Sequence, residues 1–204
     1  MSKMPASSLD QAETLFRKHG GMLRTSRALA LGIHPRTLYA LRDSGRLVEI
    51  ARGLYRLADA PPLSTPDLVR VATLVPKAVI CLISALAFHE IGTQLPRAVY
   101  IALPRTARHP RLSHLPARVF RFSGPPLTEG VEFHKVDGVE IRVYSLAKTI
   151  ADCFKYRHKI GLDVALGALR DSWRRRRATM DDLWRYAAIC RVKNVMRPYL
   201  ESLT

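Results

Sequence analysis

The stretch from Thr25 to Leu57 constrains the fold of this chain most, because it has the pattern of two short helices followed by a two-stranded ribbon. The first helix is predicted over Thr25–Leu31 and ends at Gly32. The second is predicted over Pro35–Ser44, and the ribbon over Arg46–Leu57. This order predicts a winged helix-turn-helix, in which the second helix lies in a DNA major groove. Residues 8–60 are therefore predicted to form a DNA-binding domain.

The second helix and the ribbon supply the candidate DNA contacts. Arg36 and Thr37 are predicted on the exposed N-terminal half of the helix, which meets base edges in this motif. An arginine there can bind guanine O6 and N7 together. His34 lies at the helix cap, where a phosphate can be bound. The candidate DNA-binding residues are His34, Arg36, Thr37, Tyr39, Arg42, Arg46, Arg52 and Arg56.

Several of these residues also have a purely structural interpretation. Tyr39 can pack half into the core, and Arg42 can complement the dipole at the helix end. Arg52, at the turn of the ribbon, is either a phosphate ligand or a solvated hairpin charge. Five leucines have the spacing of the small core between helices and ribbon: Leu29, Leu38, Leu41, Leu47 and Leu54.

Charge indicates the kind of partner. The chain has 33 Lys and Arg against 17 Asp and Glu, a formal net charge of +16. Both the first 60 residues and the remainder are basic. Because Lys and Arg contacts to phosphates release counterions, a polyanion is the expected partner. The alternative is a solvated basic surface that serves solubility.

Other classes of site are not indicated by the sequence. No apolar run reaches the length of a membrane span, and the first residues lack the pattern of a signal peptide. A cytoplasmic location is therefore predicted. Cys81, Cys153 and Cys190 lie in apolar stretches and lack metal-ligand spacing, so they are predicted to be buried thiols. Neither a metal nor a cofactor is expected.

A Pro-rich break at residues 60–64 separates a second domain, predicted over residues 63–204. Its pattern predicts a basic α+β domain with a small mixed sheet and several helices. Asp137-Gly138 is the dipeptide that a tight type I′ hairpin favours. The predicted strands are residues 98–103, 115–122, 133–136 and 139–144. The predicted helices are residues 66–74, 79–90, 145–155, 162–174, 181–190 and 195–203.

The second domain has candidate basic sites of its own. No Asp or Glu occurs from Gly92 to Thr128, although this stretch contains many arginines. A secondary surface for DNA or a protein partner is therefore predicted, formed by Arg105, Arg108, Arg111, Lys148, Arg174, Arg175, Arg176 and Arg177. Lys148 has an alternative role as an internal ion-pair partner of Asp152, four residues away. The four consecutive arginines can equally complement the dipole at the end of a helix.

These motifs resemble one protein family along nearly the whole chain, the AbiEi antitoxins of bacterial type IV toxin–antitoxin, or abortive-infection, pairs. The resemblance rests on Gly32, Thr37-Leu38-Tyr39, Gly45-Arg46-Leu47 and Arg52-Gly53-Leu54-Tyr55. In the second domain it rests on residues 99–104, 120–124 and 143–152. The resemblance implies a repressor that binds operator DNA upstream of its own operon. It also implies an antitoxin that opposes a nucleotidyltransferase-type toxin without a tight permanent complex.

Two other functions are compatible with the sequence. A nuclease-like enzyme with a DNA-targeting winged domain needs clustered carboxylates and a lysine around Mg²⁺. The nearest candidate is Asp137 with Glu140, but the hairpin explains Asp137, and the residue two positions after Glu140 is Arg142 and not a lysine. No enzymatic activity is therefore predicted. The third possibility is a one-component regulator without a toxin partner.

Overall fold

The computed structural model describes residues 6–110, 112 and 115–203. These residues divide into two compact units. The first contains residues 6–76, 112, 115 and 135–141, and the second contains residues 77–110, 116–134 and 142–203. The fold is of the predicted α+β class, with one sheet of three strands and another of five. The domain boundary expected between residues 60 and 63 stays a prediction.

The first unit contains the predicted winged helix-turn-helix. Its elements are α1 (Ala6–Lys18), β1 (Met22–Arg24), α2 (Thr25–Ala30), α3 (Pro35–Asp43), β2 (Leu47–Ala51), β3 (Leu54–Leu57) and α4 (Pro66–Leu74). The strands form an antiparallel sheet in the order β1-β3-β2. The short strand β1, which the sequence did not indicate, makes the predicted two-stranded ribbon three-stranded.

Local sequence determines the turn between α2 and α3. Gly32 follows α2 with a φ of +89°, a conformation that costs glycine nothing. Pro35 is the first residue of α3, where its missing N–H is no loss. His34 caps α3 because its Nδ1 accepts a hydrogen bond from the backbone N–H of Arg36 at 3.2 Å. The prediction that His34 lies at this cap is confirmed.

A small apolar core holds these helices against the sheet. Its buried residues include Phe16 of α1, Leu38 and Leu41 of α3, and Leu47 and Leu57 of the ribbon. Leu54 is buried as well, as predicted. The prediction of a buried Leu29 is wrong, since this side chain is 39% exposed while Ala28 takes the inward position on α2.

The hairpin tip, residues 135–141, also belongs to the first unit. Asp137 and Gly138 both have positive φ, +48° and +80°, as the predicted type I′ turn requires. Oδ2 of Asp137 accepts hydrogen bonds from the backbone N–H and the hydroxyl of Ser64, at 2.8 and 3.0 Å. Gly138 packs directly on the backbone of Gly20.

The second unit is built on the five-stranded sheet. Its elements begin with β4 (Val79–Ile80), α5 (Leu82–Phe88), β5 (Val99–Pro104), β6 (Ala117–Phe122) and α6 (Pro125–Thr128). They continue with β7 (Val131–Val136), β8 (Val139–Tyr144), α7 (Leu146–Lys155), α8 (Arg157–Ile160), α9 (Leu162–Arg174), α10 (Met180–Ile189) and α11 (Lys193–Glu201). The strand order is β6-β5-β4-β8-β7, and both parallel and antiparallel neighbours occur, so the predicted mixed sheet is confirmed.

Helix α7 is the centre of this unit. All its residues from Leu146 to Phe154 are buried, and its neighbours include α5, α9 and α10. The predicted helix over residues 79–90 is wrong at its start, because Val79 and Ile80 form β4 between β5 and β8. The helix proper begins at Leu82.

Candidate nucleic-acid interface

The exposed face of α3 carries Arg36 and Tyr39. Leu38 and Leu41 are fully buried, which turns Arg36 to solvent in the first turn of the helix. Thr37, predicted on the exposed face, is only 4% exposed, so that prediction is wrong. The physical reason is helical spacing, because residue 37 lies four positions before Leu41 and shares its inward face. Arg36 is therefore exposed in the first turn of α3, and its contact with base edges stays a prediction.

Tyr39 lies on the surface and not in the core. Its side chain is 42% exposed, and the guanidinium of Arg42 stacks over its ring at 4.9 Å from the centroid. Nε of Arg42 also donates to Oδ1 of the neighbouring Asp43 at 2.8 Å. These two contacts hold Arg42 at the C-terminal end of α3, where its charge also complements the helix dipole. Its contact with DNA stays a prediction.

The wing is the hairpin of β2 and β3, and hydrogen bonds hold its turn from two sides. Gly53 donates its backbone N–H to Oε1 of Glu49 at 2.7 Å. Its carbonyl accepts hydrogen bonds from the backbone N–H and the hydroxyl of Thr25, at 2.9 and 3.2 Å. The neighbouring Arg52 is exposed. A hydrogen-bonded turn with an exposed arginine beside it suits a contact with a phosphate or a minor groove.

Arg46 and Arg56 have partners within the unit. Nη1 of Arg46 lies 3.2 Å from carboxylate oxygens of both Asp10 and Glu13 on α1. Arg56 donates to the carbonyl of Pro61. Two carboxylates therefore lie beside Arg46 within the unit and partly compensate its charge. The predicted DNA contacts of both residues remain predictions.

Arg27 is a candidate DNA contact that the sequence-based prediction missed. This residue lies in the last turn of α2 and is exposed, as is Ser26. In this motif the first helix crosses the DNA backbone, so an exposed arginine on it is placed for a phosphate. The sequence carries a signal for this position, because an inward Ala28 in the helical period turns Arg27 outward.

The predicted secondary basic surface is present only in part. Arg105 and Arg108 are exposed after β5, and Arg174, Arg175, Arg176 and Arg177 are exposed at the end of α9. Arg174 and Arg175 pair with Asp171, at 3.0 and 3.3 Å. Arg111 lies outside the described residues. The remaining member, Lys148, is not on a surface at all.

Lys148 is completely buried, so its assignment to a basic surface is wrong. Its Nζ lies 2.5 Å from Oδ2 of Asp152 and 4.0 Å from the centroid of the Tyr144 ring. Sγ of Cys190 donates to the other oxygen of Asp152 at 3.3 Å. Burial raises the pKa of Asp152, and the Lys148 ammonium opposes that rise. The alternative of an internal ion pair is confirmed.

The arrangement around Asp137 does not support a nuclease-like site. Asp137 is used by the hairpin turn and by Ser64. Among the residues that the structure describes, no group of three or more His, Cys, Asp or Glu side chains could hold a metal ion. The three cysteines are free and buried, as predicted, and burial raises the pKa of the Cys81 and Cys153 thiols. In the described part of the chain, no helix is long and apolar enough to cross a membrane.

An exposed arginine on the second helix and a hydrogen-bonded wing are typical of DNA-binding proteins of the winged-helix class. Residues 10–58 match the family described as "Transcriptional regulator, AbiEi antitoxin". The matched segment contains α2, α3 and the wing. Residues 10–58 are therefore an AbiEi-type domain, as their motifs indicated, and this match supports a DNA-binding regulator role for the chain.

Two further comparisons concern the rest of the chain. No curated protein matches the sequence. The crystal structure of the RV2827C protein from Mycobacterium tuberculosis is similar in fold, with a TM-score of 0.58 and 14% sequence identity. The similarity covers 92% of this chain and 73% of that one. At this identity the likeness concerns the fold, which extends well beyond the N-terminal domain.

Proposed function

We propose that this chain represses its own operon by binding the operator through the winged unit, and that it is the antitoxin of a type IV toxin–antitoxin pair. The toxin it opposes is of the nucleotidyltransferase type, and the chain acts in the cytoplasm without an enzymatic activity of its own. The observation that carries the DNA-binding part is the exposed Arg36 in the first turn of α3, beside a wing whose turn is held by Glu49 and Thr25. The N-terminal antitoxin domain supports the toxin part.

The first test compares two labelled duplexes, the DNA directly upstream of the protein's own gene and a scrambled version of it. Fluorescence anisotropy gives the Kd of the full chain for each across a salt series. The proposal expects tight binding to the upstream DNA and a clear preference over the scrambled duplex at every salt concentration. Weak and equal binding to both would show that the winged unit does not read sequence.

Single substitutions then separate sequence reading from backbone contact. Arg36→Ala should cost roughly 1–3 kcal/mol on the upstream DNA and reduce the preference over scrambled DNA. Arg52→Ala should weaken binding to both duplexes equally, because a phosphate contact carries no sequence information. Arg197→Ala, an exposed position on α11, is the charge-matched control. If Arg36→Ala binds like Arg197→Ala, the assignment of α3 to the groove is wrong.

The antitoxin part is tested by growth. Co-expression of the chain with the nucleotidyltransferase-type protein encoded beside it should restore growth that this protein alone arrests. Because DNA binding and antitoxin activity are separate in the proposal, Arg36→Ala should restore growth as well as the unaltered chain does. Absence of such a neighbouring gene would favour the one-component regulator. Mg²⁺-dependent cleavage of the upstream duplex by the purified chain would contradict the non-enzymatic assignment.

A further inference from the structure

The second unit contains a basic cavity that the proposed function does not use. Its volume is about 420 Å³, which lies within the usual range for small-molecule sites, roughly 300–1,000 Å³. It lies between the end of β6, the turn before α6, the end of α7 and the residue that follows α10. Four cationic residues line it, namely Arg105, Arg121, Lys155 and Arg191.

The cationic side of the cavity is partly fixed by hydrogen bonds. Nη1 of Arg121 donates to the carbonyls of Pro104 and Ala107, at 2.9 and 2.8 Å. The backbone N–H of Arg105 donates to the carbonyl of Phe122 at 3.2 Å. The loop that carries Arg105 is thereby tied to the strand that carries Arg121. These hydrogen bonds fix the guanidinium of Arg121 and the backbone at Arg105.

Three of these cations form no ion pair with the residues that the structure describes. In the part of the chain that the structure describes, no ion pair is formed by Arg105, Lys155 or Arg191. Among the described residues of the wall, the one acidic side chain is Asp152, and its charge is already compensated by Lys148 at 2.5 Å. Several uncompensated cations around one concave space favour an anion, and an arginine guanidinium matches phosphate geometry best.

The rest of the cavity wall can pack against a ring of a ligand. Its apolar and aromatic surface is formed by Phe122, Pro125, Pro126 and Tyr156. Burial raises the pKa of Tyr156 to about 12, so the hydroxyl stays protonated, and it donates to the carbonyl of Arg121 at 3.2 Å. This hydrogen bond fixes the ring of Tyr156 at the cavity. A bare phosphate would leave most of the space and the whole apolar wall unused.

We propose that this cavity binds a nucleoside polyphosphate. The phosphates lie among Arg105, Lys155 and Arg191, and the base or sugar packs against Tyr156 and the two prolines. Asp152 accepts one hydrogen bond on each oxygen, and a carboxylate retains further lone pairs for a hydroxyl or amine of the ligand. A duplex backbone is a less suitable occupant, because its phosphates would leave the apolar wall of the cavity without a contact. The inference is independent of operator binding.

Isothermal titration calorimetry of the full chain tests the proposal with ATP and GTP as probes. Adenosine and inorganic pyrophosphate serve as partial ligands. At least one triphosphate should bind, and more tightly than either partial ligand. Lys155→Gln combined with Arg191→Gln should weaken that binding about tenfold or more, because it removes two charge-assisted hydrogen bonds. Arg176→Gln combined with Arg177→Gln removes the same charge outside the cavity and should change the Kd less than about twofold.

Several outcomes would overturn the proposal. Equal weakening by both double variants would show that diffuse positive charge attracts the nucleotide. Binding of a single-stranded oligonucleotide without binding of ATP or GTP would assign the cations to nucleic acid. No heat of binding with either triphosphate at millimolar concentration would leave the cavity without this ligand. Lys155→Arg combined with Arg191→Lys retains both charges and should bind nearly normally, which distinguishes the removal of ligand-binding charges from a folding defect.

Discussion

The ion pair of Lys148 and Asp152 shows that a lysine can be buried in a strongly basic protein. Both side chains are buried, and the ammonium also faces the rings of Tyr144 and Phe122, at 4.0 and 5.1 Å. Removing a charge from water is costly, so each partner depends on the other and on its hydrogen bonds. The pair therefore stabilises the fold only as a complete unit.

We expect Lys148→Met to destabilise the protein by about 3–5 kcal/mol at neutral pH, because it leaves Asp152 as an uncompensated buried charge. Burial already raises the pKa of Asp152, and loss of the opposing ammonium raises it further. A carboxyl with a raised pKa in the folded state contributes stability below its unfolded pKa, and this stability is lost as the pH rises through the folded pKa. The deficit of the variant should therefore be smaller at pH 5 than at pH 8.

Urea unfolding of both proteins at the two pH values measures this deficit as a difference in the free energy of unfolding. The double variant Lys148→Met with Asp152→Asn is the control, since it removes both charges. It should recover part of the lost stability and should show little of the pH dependence. A deficit that is the same at both pH values would mean that the charge on Asp152 is not its cause.

Single residues also show where prediction of side-chain exposure from the sequence succeeds and where it stops. Arg36 could be predicted, because two buried leucines and the helical period determine which side chain faces solvent. Thr37 could not be placed by residue type, since threonine is common on both faces, and only the i, i+4 relation to Leu41 determines its burial. The four-residue spacing of Lys148 and Asp152 indicated a pair only as an alternative to the basic surface. Their complete burial depends on α5, α9 and α10, which are distant in sequence.

At the scale of elements, the hairpin tip makes a specific backbone contact. A Cβ built on Gly138 would lie 2.6 Å from Cα of Gly20, and φ of Gly138 is +80°. Gly138→Ala therefore has two costs, a left-handed backbone with a side chain, about 1–2 kcal/mol, and a steric overlap of about 1–3 kcal/mol. We expect the free energy of unfolding in urea to fall by more than about 2 kcal/mol.

Gly45→Ala is the matched control for that variant. Gly45 has a similar φ of +74°, but no atom lies within 4 Å of the position that a Cβ would take there. It should show the cost of the left-handed conformation alone, about 1–2 kcal/mol. Equal destabilisation by the two variants would mean that the hairpin tip moves away from Gly20 without penalty. A larger effect of Gly138→Ala would establish the close approach.

The strength of the local sequence signal determines which elements could be predicted. The hairpin of β7 and β8 follows from Asp137-Gly138, because few dipeptides accept two positive φ values. Strands β1 and β4 have only three and two residues, so their periodicity carries no signal. They exist because β3, β5 and β8 supply hydrogen-bonding edges from elsewhere in the chain. An apolar run such as residues 78–88 reads locally as one buried helix.

For the whole molecule, the net charge of +16 is not evenly accessible to a partner. Arg17 pairs with Asp59, Arg185 pairs with Glu129, and Arg197 contacts Asn194. Arg108, Arg176 and Arg177 are exposed, and no ion pair of theirs is found among the described residues. Overall charge alone therefore does not identify the side chains that meet DNA, and we use the distribution of internal partners to predict them.

Salt dependence distinguishes these two sets of arginines. Replacing Arg108, Arg176 and Arg177 by Gln lowers the net charge from +16 to +13, and so does replacing Arg17, Arg185 and Arg197. In upstream-DNA binding, the slope of log K against log salt changes by about 0.9 for each phosphate that is no longer neutralised. We expect the first triple variant to flatten the slope by up to about 2.7 and the second to leave it nearly unchanged. Equal flattening would indicate a diffuse field, and an unchanged slope in both would place the exposed arginines of the second unit off the DNA.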